Sequence, residues 1–289
     1  MKVEQISFVG GDMRIVHLIE LLAKDGYKIK TFGFDKFTMT NDNVVKCDTL
    51  VEAIEDSKIV IGPLPFSSNG ETINAPFNST SILISNLLEL LSSKQILIAG
   101  RIDAKIGALL LENNIKVIDI MAREEFAVLN AISTAEGALR LAMESSQTTL
   151  HNTPVLVMGF GRIGKITCKM LDGIGAKVYC EARKFSDIAW IKAYGYEPIH
   201  LSDLDNKINK FNLFINTIPF VVFTKERIDK MNKNAVFIDL ASKPGGIDVN
   251  YAKEKEIDLK LALSLPSKVA PLTSAYHMRE TIFNILEEL

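Results

Sequence analysis

The stretch that most constrains this chain is PVLVMGFGRIG, residues 154–164. Val155 to Met158 form an apolar run that reads as a buried strand. It leads directly into Gly159-Phe160-Gly161-Arg162-Ile163-Gly164, a complete G-x-G-x-x-G. A helical pattern follows, with Ile166, Met170 and Leu171 on one face and Gly173 and Gly175 closing it, before a second strand at 176–181. Strand, glycine turn, helix and strand in this order form a dinucleotide site. Gly159 permits the tight turn, Gly161 admits the pyrophosphate to the backbone, and Gly164 lets helix and strand pack closely. The helix then meets the phosphates with unpaired N–H groups and the positive end of its dipole.

The end of the second strand selects the dinucleotide. An acid about 20 residues beyond the glycines takes a ribose 2′-hydroxyl in NAD enzymes. Here the strand ends Tyr179-Cys180-Glu181-Ala182-Arg183-Lys184. Glu181 as the ribose acid would give NAD. Ala182 in the acid's place, with Arg183 and Lys184 meeting a 2′-phosphate, would give NADP, and this reading is favoured because it leaves both room and positive charge.

A chain of 289 residues suits two domains. A net charge of −2 leaves no basic surplus for nucleic acid or an anionic membrane. No apolar run approaches the roughly 20 residues of a membrane span, and the N-terminus enters a strand without a signal-peptide pattern. Cys47, Cys168 and Cys180 form no disulfide framework, which suits a reducing cytoplasm, and the four histidines show no metal-binding spacing.

Ahead of the glycine motif, strands are expected at 3–9, 27–34, 58–62, 95–99 and 115–120, alternating with helices at 15–22, 50–56, 83–91 and 102–113. Beyond it come strands at 213–215, 235–240 and 258–263 and a last helix at 274–289. Such alternation means parallel sheets covered by helices. The expected fold is α/β, with two Rossmann-like parallel-sheet domains joined by a long helix and the C-terminal helix packing back. The domains are an N-terminal substrate- or anion-binding domain at 1–125, an interdomain helix at 126–150, a nucleotide-binding domain at 151–272 and the C-terminal helix at 273–289 on the first domain. A cleft between the lobes is expected. Ser133-Thr134-Ala135-Glu136 fits a capping box, so a helix is expected to start or restart there.

Ligands of open parallel sheets bind at the carboxyl ends of the strands. In the second half these ends carry Asn216-Thr217-Ile218-Pro219, then Asp239-Leu240-Ala241-Ser242-Lys243-Pro244-Gly245-Gly246, then the loop 265–271. Asn216, Thr217, Ile218, Pro219, Asp239, Ala241 and Ser242 are expected to flank the nicotinamide and its ribose. Lys243 is the most attractive ionisable group beside that ring. In the first half Gly10-Gly11 opens a helix without dinucleotide spacing and reads either as an anion pocket for a small carboxylate or as a structural turn. Arg14 and Arg101 are suited to bidentate carboxylate binding.

Several segments resemble the dipicolinate synthase A subunits of spore-forming bacteria: GGDMR near the start, GFD at 33–35, STAEGAL at 133–139, MGFGRIG, NTIP, DLASKPGGID and LPSKVAP. The last three together are the specific ones, and Ser267 stands where a glycine is expected. The resemblance covers essentially the whole chain. It implies oxidation of dihydrodipicolinate, or of its hydroxylated tetrahydro precursor, to dipicolinate with a pyridine nucleotide. It also implies a partner, a flavoprotein-like B subunit, and a place in the mother-cell cytoplasm during sporulation. On that reading Gly10, Gly11, Asp12, Arg14, Ser67, Thr134, Lys243 and Lys268 are substrate-binding candidates. Glu136 and Asp12 join Lys243 as candidates for catalysis, serving as acid or base if a dehydration comes first. A homo-oligomer is compatible with this reading. Two alternatives stand beside it: a 2-hydroxyacid-dehydrogenase-like oxidoreductase, and a non-catalytic nucleotide-binding protein within a complex.

Overall fold

A computed structural model describes residues 4–289; Val3, the first residue of the strand expected at 3–9, lies outside them. The chain divides into two compact units. One takes the chain up to Leu129 together with Ala270–Leu289, and the other is Asn130–Val269.

The first unit begins with β1 (Gln5–Val9), α1 (Met13–Lys24), β2 (Lys28–Phe32), β3 (Val44–Lys46), α2 (Leu50–Ile54) and β4 (Ile59–Ile61). A small antiparallel pair, β5 (Thr72–Ile73) and β6 (Ile82–Leu83), leads into α3 (Ile84–Leu90). Then come β7 (Ile96–Ala99), α4 (Ala104–Glu112), β8 (Lys116–Asp119) and the start of α5 (Glu124–Ser145). The large sheet runs β3-β2-β1-β4-β7-β8, and every neighbouring pair is parallel. Its central strands are continuous apolar runs, IVI in β4 and ILIA in β7, buried on both faces as a parallel sheet requires. α1 carries Ile15, Leu18, Ile19 and Leu22 on one buried stripe. Asp12 caps its N-terminus, and Gly26 at φ +93° follows its end.

The second unit repeats this order. It holds β9 (Pro154–Met158), α6 (Arg162–Gly173), β10 (Lys177–Ala182), α7 (Phe185–Ala193), β11 (Glu197–His200) and β12 (Leu213–Asn216). α8 (Lys225–Ile228), β13 (Val236–Asp239), α9 (Val249–Glu254), β14 (Asp258–Leu261) and α10 (Leu265–Val269) complete it. Its sheet runs β11-β10-β9-β12-β13-β14, all parallel. The order reverses between β9 and β12, so the crevice at their carboxyl ends is the topological switch point. The last helix, α11 (Pro271–Glu288), returns to the first unit and buries Ala275, Met278, Ile282 and Ile285 with the α1 stripe.

The expected fold class holds, with four local differences. α5 runs unbroken through 133–136, so no helix restarts there. Within it Ser133 Oγ is buried without a partner, and Thr134 Oγ1 bonds back to the carbonyl of Asn130 at 3.0 Å instead of capping. The segment 265–271, expected as a loop, contains α10. β3 and β11 are sheet strands that the apolar pattern does not reveal, because each is an edge strand only three or four residues long. No helix among the described residues is long and apolar enough to cross a membrane.

Candidate active site

At the switch point of the second unit the chain leaves β9 through Gly159 at φ +89°, a conformation that excludes most side chains. Thr217, just past β12, closes this turn with both its N–H (3.0 Å) and its Oγ1 (2.8 Å) donating to the carbonyl of Met158. A Cβ on Gly164 would lie 2.0 Å from the carbonyl oxygen of Gly159, so helix and turn touch there. A Cβ on Gly161, the N-cap of α6, would meet nothing within 4 Å. The first and third glycines are thus filled by protein, while the second faces open space at a helix N-terminus that no side chain caps. That is the cradle a pyrophosphate requires, and the residues present fit a dinucleotide. Phe160 is buried, Ile163 packs on the same core, and Arg162 is exposed at the first turn.

The end of β10 separates the two candidates for ribose recognition. Glu181 is fully buried, and neither carboxylate oxygen has a hydrogen-bond partner. Burial pushes its carboxyl up to about 6, opposed by the nearby Gly159 N–H and then by the Arg183, Arg227 and His200 charges. The carboxylate is thus enclosed by the fold rather than exposed at the strand end. Ala182, the last residue of the strand, brings no acid to the edge. Arg183 and Lys184 follow it on the surface.

Asn216 and Asp239, in the loops expected to flank the cofactor, have side chains turned inward, each residue 1% exposed. Asn216 Nδ2 donates to Asp239 Oδ1 (2.8 Å) and to the carbonyl of Ile218 (3.0 Å), while its Oδ1 accepts from the Ile218 N–H at 3.1 Å. Asp239 also accepts from the N–H groups of Ala241 (3.0 Å) and Gly246 (2.8 Å). A Cβ on Gly246 would lie 2.1 Å from Asn216 Nδ2, so only glycine lets the second loop close on the pair. The two side chains therefore shape the loops after β12 and β13, and what these loops display is Pro219, Ser242 and Lys243, all exposed. Lys243 lines a largely apolar cavity of about 650 Å³ together with Ala241, Pro244, Leu261 and Leu263.

The first unit corrects the reading of Gly10-Gly11 as an anion pocket. Asp12 itself occupies the N-terminus of α1, accepting from the Arg14 N–H at 3.0 Å. The buried Arg14 guanidinium clasps both Asp12 carboxylate oxygens, with Nη2 to Oδ2 at 2.8 Å, and also reaches the Leu64 carbonyl. Gly10 and Gly11 are buried, with Ala75 and Ile15 against them. Asp12 and Arg14 thus satisfy each other, and Asp12 is held as a structural carboxylate. Ser67 accepts from Gly70 N–H at 2.9 Å inside its own loop, and Thr134 is buried in α5. Glu136 and Lys268 are exposed in the second unit. No group of three or more potential metal ligands occurs among the described residues.

Residues 5–121 match the N-terminal domain of dipicolinate synthase A subunits, and residues 126–245 match the NAD-binding domain of D-isomer-specific 2-hydroxyacid dehydrogenases. The chain is 27% identical to the dipicolinate synthase A subunit of Bacillus subtilis (strain 168) over 286 residues, 99% of this chain and 96% of that protein. Among solved structures it is similar to the dipicolinate synthase A subunit of Bacillus halodurans, with 28% identity, a TM-score of 0.90, and 98% and 97% of the two chains covered. The corresponding structure from Bacillus subtilis superposes with a TM-score of 0.90 at 26% identity, covering 100% of this chain and 97% of that one. The dehydrogenase-type domain and its glycine turn make the chain a nicotinamide-dinucleotide-binding oxidoreductase. Over its whole length it is similar to the dipicolinate synthase A subunits, with the match to their N-terminal domain lying ahead of the match to the nucleotide-binding one.

Proposed function

We propose that this chain is the A subunit of a dipicolinate synthase and that it uses NADP. The observation that carries the reading is similarity to such subunits over 99% of the chain rather than over the nucleotide domain alone. The reaction would convert dihydrodipicolinate and NADP⁺ to dipicolinate, NADPH and a proton. The nicotinamide, when bound, supplies the hydride acceptor. Aromatisation drives the step, so the chain needs to position the ring more than to provide a strong base.

The roles fall on residues of the second unit. The amides of 159–164 hold the pyrophosphate, and the loops shaped by Asn216 and Asp239 border the nicotinamide end. Lys243, exposed beside the apolar cavity, pairs with a ring carboxylate, and Lys268 is the second cationic candidate. Should a hydroxylated tetrahydro precursor be the substrate, Glu136 is the exposed acid for its dehydration, since Asp12 is engaged with Arg14. The absence of an acid at Ala182 and the exposed Arg183 and Lys184 support NADP. We assign residues 1–125 to the substrate side, 126–150 to the connection, 151–272 to the nucleotide and 273–289 to the return helix. A flavoprotein-like B subunit is the proposed partner, in the mother-cell cytoplasm of a sporulating bacterium. The 2-hydroxyacid dehydrogenase reading is weaker because no histidine lies between Leu201 and Tyr276 to serve beside the nicotinamide.

The test is absorbance of reduced nicotinamide with purified chain, freshly generated pathway intermediate, and NADP or NAD in separate cuvettes. Reduction of NADP with dipicolinate appearing alongside is expected. Reduction that occurs only with 2-hydroxy acids sinks the reading, and reduction that needs an added flavoprotein moves the chemistry to the complex. Lys243→Ala should weaken substrate binding by about 1.5–3 kcal/mol, the scale of a charge-assisted hydrogen bond.

A further inference from the structure

His200 ends β11 and is the register partner of Ala182, so it lies beside the position where the ribose acid is missing. Its ring is held on three sides. Nδ1 accepts the Ser202 N–H (3.3 Å) and lies 2.8 Å from Ser202 Oγ. A ring nitrogen that accepts from a backbone N–H carries no proton, so the proton sits on Nε2. Nε2 is 3.0 Å from the carbonyl oxygen of Arg183, to which it therefore donates. The imidazole face stacks on Phe185 with 5.1 Å between ring centroids and 7° between planes. Phe185 is 79% exposed at the first position of α7, with little other cover for its ring. One histidine thus grips the segment 183–185 at both ends, by the carbonyl of Arg183 and the ring of Phe185. Between those grips stand the two exposed cations, Arg183 and Lys184.

We infer that His200 is a positioning residue that presents Arg183 and Lys184 to the 2′-phosphate of NADP. The inference rests on the NADP reading given above. Two long cationic side chains lose rotamer freedom when they close on a phosphate. Holding their backbone in advance removes the further cost of ordering the loop, so His200 acts on 2′-phosphate affinity without touching the phosphate. The pyrophosphate cradle lies on another turn and is unaffected.

The experiment is isothermal titration of the full chain with adenosine 2′,5′-bisphosphate and with 5′-AMP. It compares the wild type with Arg183→Ala, His200→Ala, His200→Gln and Phe185→Ala. The wild type should bind the bisphosphate more tightly, and Arg183→Ala should abolish that preference. His200→Ala should weaken the bisphosphate about fivefold to tenfold, the scale of one lost hydrogen bond, and leave 5′-AMP within about twofold. His200→Gln, whose amide can donate to the Arg183 carbonyl, should recover part of the loss. A His200→Ala protein that keeps the wild-type preference, or loses both ligands equally, overturns the inference while an effect of Arg183→Ala leaves the NADP reading standing. A wild type without preference, indifferent to Arg183→Ala, overturns both. If His200→Ala does not fold, Phe185→Ala decides, because its ring lies at the surface: an unchanged preference overturns the inference and a reduced one supports it.

Discussion

At the scale of single residues, Glu181 is the least comfortable group near the site. Its carboxyl is raised from 4.5 to about 6 because burial penalises the charge more than the nearby Gly159 N–H and the surrounding cations favour it, and neither oxygen makes a hydrogen bond. Below pH 4.5 the acid is protonated in folded and unfolded chains alike and costs nothing. As pH rises through about 6, folding stability is lost, reaching about 2 kcal/mol when the buried group is ionised. Glu181→Gln should therefore stabilise the chain by about 2 kcal/mol at pH 7.5 and hardly at all at pH 4.5. Urea unfolding at both pH values checks this, and an equal gain at both would refute it. The sequence alone leaves Glu181 and Ala182 competing for one role, because adjacent strand residues face opposite ways and only the packed sheet says which face is enclosed. The inward turn of Asn216 and Asp239 is hidden for a related reason: each stands at a strand end, and their side chains bond to one another across adjacent strands.

Among the elements, α11 shows which contacts hold. Arg279 and Asp25 form a surface pair (Nη2 to Oδ1, 2.7 Å), and Arg123 bridges Glu125 and Glu288. Exposed pairs of this kind contribute about 0.2–1 kcal/mol. The apolar seam of Ala275, Met278, Ile282 and Ile285 against Ile15, Leu18, Ile19 and Leu22 carries the rest. Ile282→Ala, at a fully buried position, should cost roughly 2–5 kcal/mol, whereas Arg279→Ala should cost under about 1. Chemical denaturation of the two variants measures the contrast, and similar losses would shift the weight to the ion pairs. The apolar period makes α1 and α11 legible. The continuity of α5 is not, since Ser133 to Glu136 also spells a helix start and only the unbroken backbone ladder rejects that option.

For the molecule as a whole, each unit has its own sheet and its own buried clusters, Ile6, Phe8 and their neighbours in one and Val155, Val157 and theirs in the other. The glycine cradle belongs entirely to Asn130–Val269. A dinucleotide at about 100 times its dissociation constant should add roughly 2.7 kcal/mol to the unfolding free energy of that unit. Hydrogen exchange with and without NADPH should show the added protection in β9, β10 and β12, and equal protection throughout β1, β2 and β4 would place binding elsewhere. The sequence by itself determined the α/β class, the glycine turn and its dinucleotide, because strand–helix alternation and tight turns are set by neighbours along the chain. It also carried the resemblance to the dipicolinate synthase A subunits. Only the tertiary structure decided that Asp12 fills the helix end read as an anion pocket, that Glu181 faces inward, and that His200 grips the loop after β10. Those outcomes depend on groups far apart in the chain meeting across strands and loops, and local pattern does not encode such meetings.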